Sequence, residues 1–252
     1  MSQCNIITHR GANKYAPQNT LPAFRRAFEI GTDGFETDVH LTKDGRVVLC
    51  HNYTIDETSN GKGAITDMVL DELKRYDFGS YFNEKYKDTE IPTLEEFLEF
   101  VQTTDIKVLN IEIKPPQNKS LEVVNKTIEI AKRYDLLDRL LISSFSPDVL
   151  KEAKEIDSNC KTGFLYSPKS PTTPTMFWRA AEYAKSLNCD ALHPYFLFVN
   201  EKYVKEAHEA GIMVNPWTVN NPDFIHRLLK LGVDGIISDL PDVTGCIREL
   251  YK

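Results

Sequence analysis

The sequence predicts an α/β fold, eight parallel strands alternating with helices and closed into a TIM (β/α)8 barrel, with a small inserted subdomain after the second strand. Three observations predict it. From position 107 onward, short apolar runs alternate with amphipathic stretches, the pattern of parallel βαβ units. The strand-like runs number nine, but one of them folds back on its predecessor through an Asp-Gly turn, which leaves eight for a barrel. The chain has 252 residues, close to the roughly 250 that such a barrel takes as one unit.

Taken in order, the first strand is NIITH (5–9) and the first helix runs from about Thr20 to Ile30, where Asn19 or Thr20 can cap it. The second strand is DGFETDV (33–39). After it, Lys43-Asp44-Gly45-Arg46 is a hairpin signal, because Asp-Gly suits a type I′ turn, so VVLC (47–50) returns antiparallel. Residues 52–104 then form an insertion at the barrel mouth, with a helix near Thr93 to Gln102. The remaining strands are KVLNIEI (107–113), RLLISS (139–144), KTGFLY (161–166), DALHPY (190–195), GIMVNPW (211–217) and DGIISD (234–239). Helices are expected between them at 118–134, 147–156, 175–187, 200–210 and 221–231. SPKSPTTP (167–174) reads as a loop that can border the mouth. No repeat, low-complexity tract or linker divides the chain, so residues 1–252 are expected to form a single domain.

Composition narrows the function. A hydrophobic fraction of 41% and a charged fraction of 27% belong to a globular chain with enough apolar material for a full core. No run approaches the roughly 18 apolar residues of a membrane span, and strand-like sequence begins almost at the first residue, so a cytoplasmic location is expected. The five cysteines are scattered and lack a CxxC spacing, which argues for free thiols rather than disulfides or a zinc site. A net charge of -7 disfavours nucleic acid and stable association with an anionic membrane, since both need basic patches. The expected partner is a small molecule.

Barrel enzymes carry their chemistry at the carboxyl ends of the strands. Those ends hold His9-Arg10, Glu36 and Asp38, Glu112 and Lys114, Ser143-Ser144, Tyr166, His193, Trp217 and Ser238-Asp239. Side chains at i and i+2 share a strand face, so Glu36 pairs in direction with Asp38, and Glu112 with Lys114. Three carboxylates packed together repel one another unless a cation offsets them, and an all-oxygen set favours Mg2+ or Ca2+. The bland alternative is a buried salt-bridge network with Arg10 and Lys114. His9 and His51 flank the acids and suit a general base and general acid at a phosphorus centre, with Arg10 and Lys114 on the anionic oxygens. His40, His208 and His226 are read as hairpin or helix-surface residues.

THRGANKYAPQNTLPAFRRAFEIGTDGFETDVHLTKDGRVVLCHN, followed by TIDETSNGKG, IPTLEEFL, LNIEIK, PWTVN and GVDGIISDLP, resembles the glycerophosphodiester phosphodiesterase family along almost the whole chain. The resemblance implies a metal-dependent hydrolase that converts glycerophosphodiesters to sn-glycerol 3-phosphate and an alcohol. It further implies a divalent ion on Glu36, Asp38 and Glu112, catalytic His9 and His51, and phosphate contacts from Arg10 and Lys114. Trp217 walls the alcohol side in that pattern, or caps the core. His193 either touches substrate or satisfies a backbone carbonyl. Three positions depart from the usual pattern: Gln18 stands in place of Glu, Asn52 in place of Asp, and Glu57 in place of Arg. They bear on pH dependence and substrate preference more than on reaction type. Rival readings are a lysophospholipase D-type hydrolase approached over Tyr81, Phe82 and Tyr86, a Schiff-base lyase using Lys114, and a non-catalytic ligand-binding barrel. The nucleophile is either the substrate's own neighbouring hydroxyl or water.

Overall fold

The computed structural model describes residues 4–116, 120–170 and 173–251. Its strands are β1 (Asn5–Thr8), β2 (Gly34–Leu41), β3 (Val47–Leu49), β4 (Val108–Ile113), β5 (Leu140–Ser144), β6 (Lys161–Tyr166), β7 (Ala191–Pro194), β8 (Met213–Val214) and β9 (Gly235–Ser238). Its helices are α1 (Leu21–Ile30), α2 (Leu70–Leu73), α3 (Leu94–Gln102), α4 (Glu122–Arg133), α5 (Pro147–Ile156), α6 (Thr173–Ser186), α7 (Glu201–Glu209), α8 (Pro222–Leu231) and α9 (Pro241–Glu249). Eight strands are parallel in the order β8-β7-β6-β5-β4-β2-β1-β9, with β3 antiparallel on β2. The ends of this path meet, because Asp234 N donates to Val214 O (3.0 Å), Ile237 N to Pro216 O (3.0 Å) and Val219 N to Ile237 O (2.9 Å). The result is a TIM barrel. Of the expected helix at 118–134 and the loop at 167–174, residues 118–119 and 171–172 lie outside the described residues.

Local chemistry explains the elements. In α3, Leu94, Phe97, Leu98 and Val101 are buried, the spacing of one helical stripe, and Thr93 and Glu96 close a reciprocal capping box. Phe97 packs on Phe24 of α1 at a ring-centroid distance of 4.4 Å, and Phe24 packs on Phe35 of β2 at 5.5 Å. That aromatic stack ties the first two βα units to α3. A satellite cluster of Val48, Cys50, Ile55, Ile65, Met68, Leu73, Phe78 and Ile91 fastens β3 to the segment that follows it.

The structure corrects several local expectations. The hairpin turn is not type I′, since Gly45 has φ 74° while Asp44 stays on the negative side. Gly45 N donates to Thr42 O at 3.0 Å and Thr42 N to Arg46 O at 2.8 Å, so a type I turn is followed by a left-handed glycine bulge. Neither proposed cap serves α1: Thr20 occupies the N-cap position, but its hydroxyl donates to Pro17 O at 2.5 Å. Tyr166 faces outward, stacked on Phe164 and Phe198 and hydrogen-bonded to Tyr203, rather than toward the mouth. His40 is buried, its Nε2 3.4 Å from the His51 carbonyl oxygen and its ring against Tyr53.

His193 lies in the barrel interior, fully buried. Its imidazole sits where a side chain at position 163 would be, since a Cβ on Gly163 would come 2.7 Å from His193 Nε2. Asn215 Nδ2 is 3.3 Å from Nε2, while Nδ1 has no hydrogen-bond partner among the described residues. Burial pushes its pKa down to about 3. An unfolded chain carries His near 6.5, so below that pH the unfolded state takes a proton that the native state refuses. Stability is therefore full above pH about 6.5 and is lost as pH falls toward 3, at up to about 1.4 kcal/mol per pH unit from this residue. Urea unfolding of wild type and His193→Gln between pH 7 and 4 is expected to give a shallower acid loss in the variant. Equal slopes would contradict the buried neutral imidazole.

Candidate active site

The acidic centre is built by strand register. β2 and β4 pair in parallel with Glu36 opposite Asn110 and Asp38 opposite Glu112, and parallel partners point to the same side of the sheet. Glu36, Asp38 and Glu112 each bring a carboxylate oxygen within 4.8 Å of the others, and all three residues are buried. Lys114 Nζ lies 2.8 Å from Asp38 Oδ1 and 2.6 Å from Glu112 Oε1. Arg10 Nε is 3.5 Å from Asp38 Oδ2. The Arg10 backbone is left-handed, with φ 57°, and its N–H donates to Glu36 Oε2 at 2.8 Å. Asn19, expected as a helix cap, instead donates to Asp38 Oδ2 at 2.9 Å and accepts from Thr37 Oγ1 at 2.9 Å. Gln18 Oε1 accepts from Arg10 Nη1 at 2.7 Å, so that departure touches a site residue directly.

Charge in this centre is uneven. Burial, then the charges on Asp38 and Glu112, raise the Glu36 pKa well above the usual carboxylate range. Burial likewise pushes Glu112 up to about 7, against the pull of Lys114. Asp38 goes the other way: burial opposes its charge, but Lys114, Arg10 and His51 outweigh that and hold it ionised. Three acids face two cations, and the set can hold a divalent ion.

The two histidines are furnished differently. His9 follows β1, and its backbone N donates to Ser238 O at 3.0 Å across the barrel closure. His9 Nδ1 is 2.7 Å from Asp239 Oδ1. Asp239 also accepts from Asn13 Nδ2 at 2.6 Å and from Asn220 Nδ2 at 2.7 Å. Burial opposes its charge, yet His9, Asn13 and Asn220 keep the Asp239 pKa low. An ionised carboxylate only accepts, so His9 Nδ1 carries the hydrogen and Nε2 is the nitrogen free for chemistry. Burial lowers the His9 pKa, opposed by Asp239. His51 Nδ1 instead meets Asn52 Oδ1 at 2.6 Å. Burial, then Lys114 and Arg10, bring its pKa down to about 4, with Asp38 opposing.

These groups border a cavity of about 130 Å3 lined by His9, Arg10, Glu36, His51, Asn110, Glu112, Lys114, Phe145, Leu165, Trp217 and Ile237. One wall is charged and the other apolar. Trp217 packs edge-on against Phe145 at 5.7 Å, and its Nε1 donates to His193 O at 2.7 Å. Of the residues singled out from sequence, Asp38 sits behind the lining and His193 lies below it. Ser144 and Ser238 are spent on structure, Ser144 Oγ donating to Ile113 O and Ser238 Oγ to Asn220 Oδ1. Sequence reasoning placed Asp239 at a strand end without a role; its carboxylate beside His9 becomes visible only once β1 and β9 are known to be neighbours. A larger groove of about 490 Å3 lies between the hairpin and α4 and reaches Lys114 but none of the three carboxylates.

The sequence profile of the glycerophosphoryl diester phosphodiesterase family matches residues 9–243. A glycerophosphodiester phosphodiesterase of Caldanaerobacter subterraneus is 38% identical over 237 residues, covering 94% of each chain. Among solved structures, an Oleispira antarctica phosphodiesterase in complex with the product sn-glycerol 3-phosphate superposes with a TM-score of 0.86 at 30% identity, covering 97% of this chain and 96% of that one. The glycerophosphodiester phosphodiesterase of Thermotoga maritima does so with a TM-score of 0.78 at 29% identity, covering 98% and 99%. With the profile spanning most of the chain and the barrel and its acidic mouth in place, this protein is an enzyme of the glycerophosphoryl diester phosphodiesterase family.

Proposed function

We propose that the protein hydrolyses glycerophosphodiesters to sn-glycerol 3-phosphate and an alcohol. The observation that carries this reading is the cavity itself, where two cations, two differently held imidazoles and the carboxylates of Glu36 and Glu112, with Asp38 behind them, border a space of about 130 Å3. That the Oleispira relative binds sn-glycerol 3-phosphate as product supports the same substrate class here. The donor set fits a hard divalent ion, Mg2+ or Ca2+, because it offers only oxygens and its three carboxylates, once ionised, outnumber Arg10 and Lys114. Glu36, Asp38 and Glu112 would hold it, and when bound it supplies charge stabilisation at the phosphoryl group.

The chain's own residues divide the remaining work. Arg10 and Lys114 seat the anionic phosphoryl oxygens. His9 Nε2 takes the proton of the nucleophile, either water or the substrate's own neighbouring hydroxyl, as the new P–O bond forms, and Asp239 stabilises the resulting imidazolium; where the hydroxyl attacks, water then opens the cyclic phosphate to sn-glycerol 3-phosphate. His51 returns a proton to the alcohol as its P–O bond breaks. The diester's negative charge offsets the Lys114 and Arg10 charges that disfavour a protonated His51. Trp217, with Phe145 and Leu165, walls the alcohol side. Residues 52–104 act as a cap on the mouth within one domain. Lys114 is a poor Schiff-base nucleophile, since Asp38 and Glu112 overcome burial and keep it charged. The apolar wall and a Tyr81 that is 42% exposed favour a second reading of the substrate, a lysolipid in place of a headgroup diester. Comparing both substrates in one assay separates them. Five cysteines without a disulfide support a cytoplasmic site of action, and no helix among the described residues is long and apolar enough to cross a membrane.

Exhaustive chelation is expected to abolish turnover and Mg2+ or Ca2+ to restore it; full activity in the chelated protein would refute the cation assignment. His9→Ala and His51→Ala should each lower kcat by roughly 10² to 10⁴-fold. His51→Ala should recover in part on a diester with a good leaving group, whereas His9→Ala should not. Asp239→Asn should lower kcat with little change in KM, because an amide at that position can reverse the hydrogen bond that sets the His9 tautomer. Wild-type kcat in Asp239→Asn would show that His9 does not need it.

A further inference from the structure

His51 has no carboxylate on its Nδ1, yet a carboxylate stands one side chain further away. Asn52 Oδ1 meets His51 Nδ1 at 2.6 Å, and Asn52 Nδ2 donates to Glu57 Oε2 at 2.7 Å. Glu57 is exposed, but its loop is closed on itself: Ile55 N donates to Gly63 O at 3.1 Å, Gly63 N to Asp56 Oδ1 at 2.9 Å and Ser59 Oγ to Ile55 O at 2.8 Å. Ile55 anchors that loop in the satellite core. The upstream side is equally held, with Cys50 N donating to Asp38 O at 3.0 Å.

We propose that Glu57 is a positioning residue that acts through Asn52 to set the tautomer of His51. The argument rests on which groups can donate. A carboxylate only accepts, so the Asn52 amide must turn its NH2 toward Glu57 and its oxygen toward His51. His51 Nδ1 must then carry the hydrogen, which leaves Nε2 as the nitrogen that gains and gives up the proton facing the cavity. An asparagine alone has no such preference, because its two ends are nearly the same shape and are told apart only by their partners. The usual family pair at these positions is Asp and Arg. By donor and acceptor capacity alone, an Asp at 52 would accept from the imidazole and an Arg at 57 would donate to that Asp, so the Asn52–Glu57 pair presents the same acceptor to the ring.

The inference rests on the acid role of His51 proposed above, and the experiment separates the two. Glu57→Arg presents only donors to Asn52, so the amide must turn over, offer its NH2 to His51 Nδ1 and force the hydrogen onto Nε2. Asn52→Asp in the Glu57→Arg background restores an acceptor toward the ring. Nitrogen-15 spectra of the imidazoles, with His51 assigned by its loss in His51→Gln, are expected to show the Nδ1–H form in wild type, the Nε2–H form in Glu57→Arg and the Nδ1–H form again in the double variant. In the same proteins kcat is expected to fall roughly 10 to 10²-fold in Glu57→Arg, with KM nearly unchanged, and to return to within a few-fold in the double variant. An unchanged Nδ1–H form in Glu57→Arg, or a double variant that stays in the Nε2–H form, overturns the positioning role. A tautomer that follows the scheme while kcat stays level upholds the positioning role and removes His51 from the chemistry.

Discussion

Much of this site follows from one constraint: three carboxylates on adjacent strands cannot share a buried space without compensating positive charge. The left-handed backbone at Arg10 turns an amide onto Glu36, Lys114 bridges Asp38 and Glu112, and Asn19 leaves its helix to serve Asp38. Removing one partner of a buried charged pair costs about 3–5 kcal/mol, so these contacts are obligatory once the acids are buried. They are not sufficient, because Glu36 and Glu112 remain under pressure to protonate. A divalent ion in place of those protons would relieve that pressure and let the centre receive an anionic ester.

Around that fixed centre the two histidines occupy unlike settings. His9 is braced by a carboxylate that is itself held by Asn13 and Asn220, an arrangement that favours accepting a proton. His51 is braced by a neutral amide on a hairpin and lies close to Lys114 and Arg10. Unequal surroundings of this kind are what the proposed division into acid and base at a single pH requires. The barrel contributes by bringing chain positions 230 residues apart, His9 and Asp239, into contact.

Much of this was legible in the sequence because it depends on short periods. Alternation along a strand suffices to aim Glu36 with Asp38 and Glu112 with Lys114. Apolar spacing suffices for α3. What escaped depends on partners that no local pattern names. Asn19 looks like a helix cap until Asp38 is seen to need a donor, and His40 looks like an ordinary hairpin residue until its ring is seen buried against Tyr53. The turn at Gly45 is a bulge because only one residue there adopts positive φ, whereas the Asp-Gly pair suggested two. Tyr166 was placed at the mouth by position alone, although Phe164 and Tyr166 share the face that packs outward. α9 was not anticipated, since Gly245 interrupts a short and weakly apolar stretch.

The central claim is that the crowded, buried acids hold protons that a divalent ion displaces on binding, and proton release on cation binding tests it most directly. Titrating Ca2+ or Mg2+ into cation-free protein near pH 6.5, by calorimetry in buffers of different ionisation enthalpy, measures the protons displaced. The account predicts release of at least one proton per ion, because the carboxylates held protonated by burial and by one another, Glu36 and Glu112, must ionise to coordinate. It also predicts that Glu36→Gln weakens binding and lowers that release. Binding without proton release, or an affinity indifferent to Glu36→Gln, would contradict it.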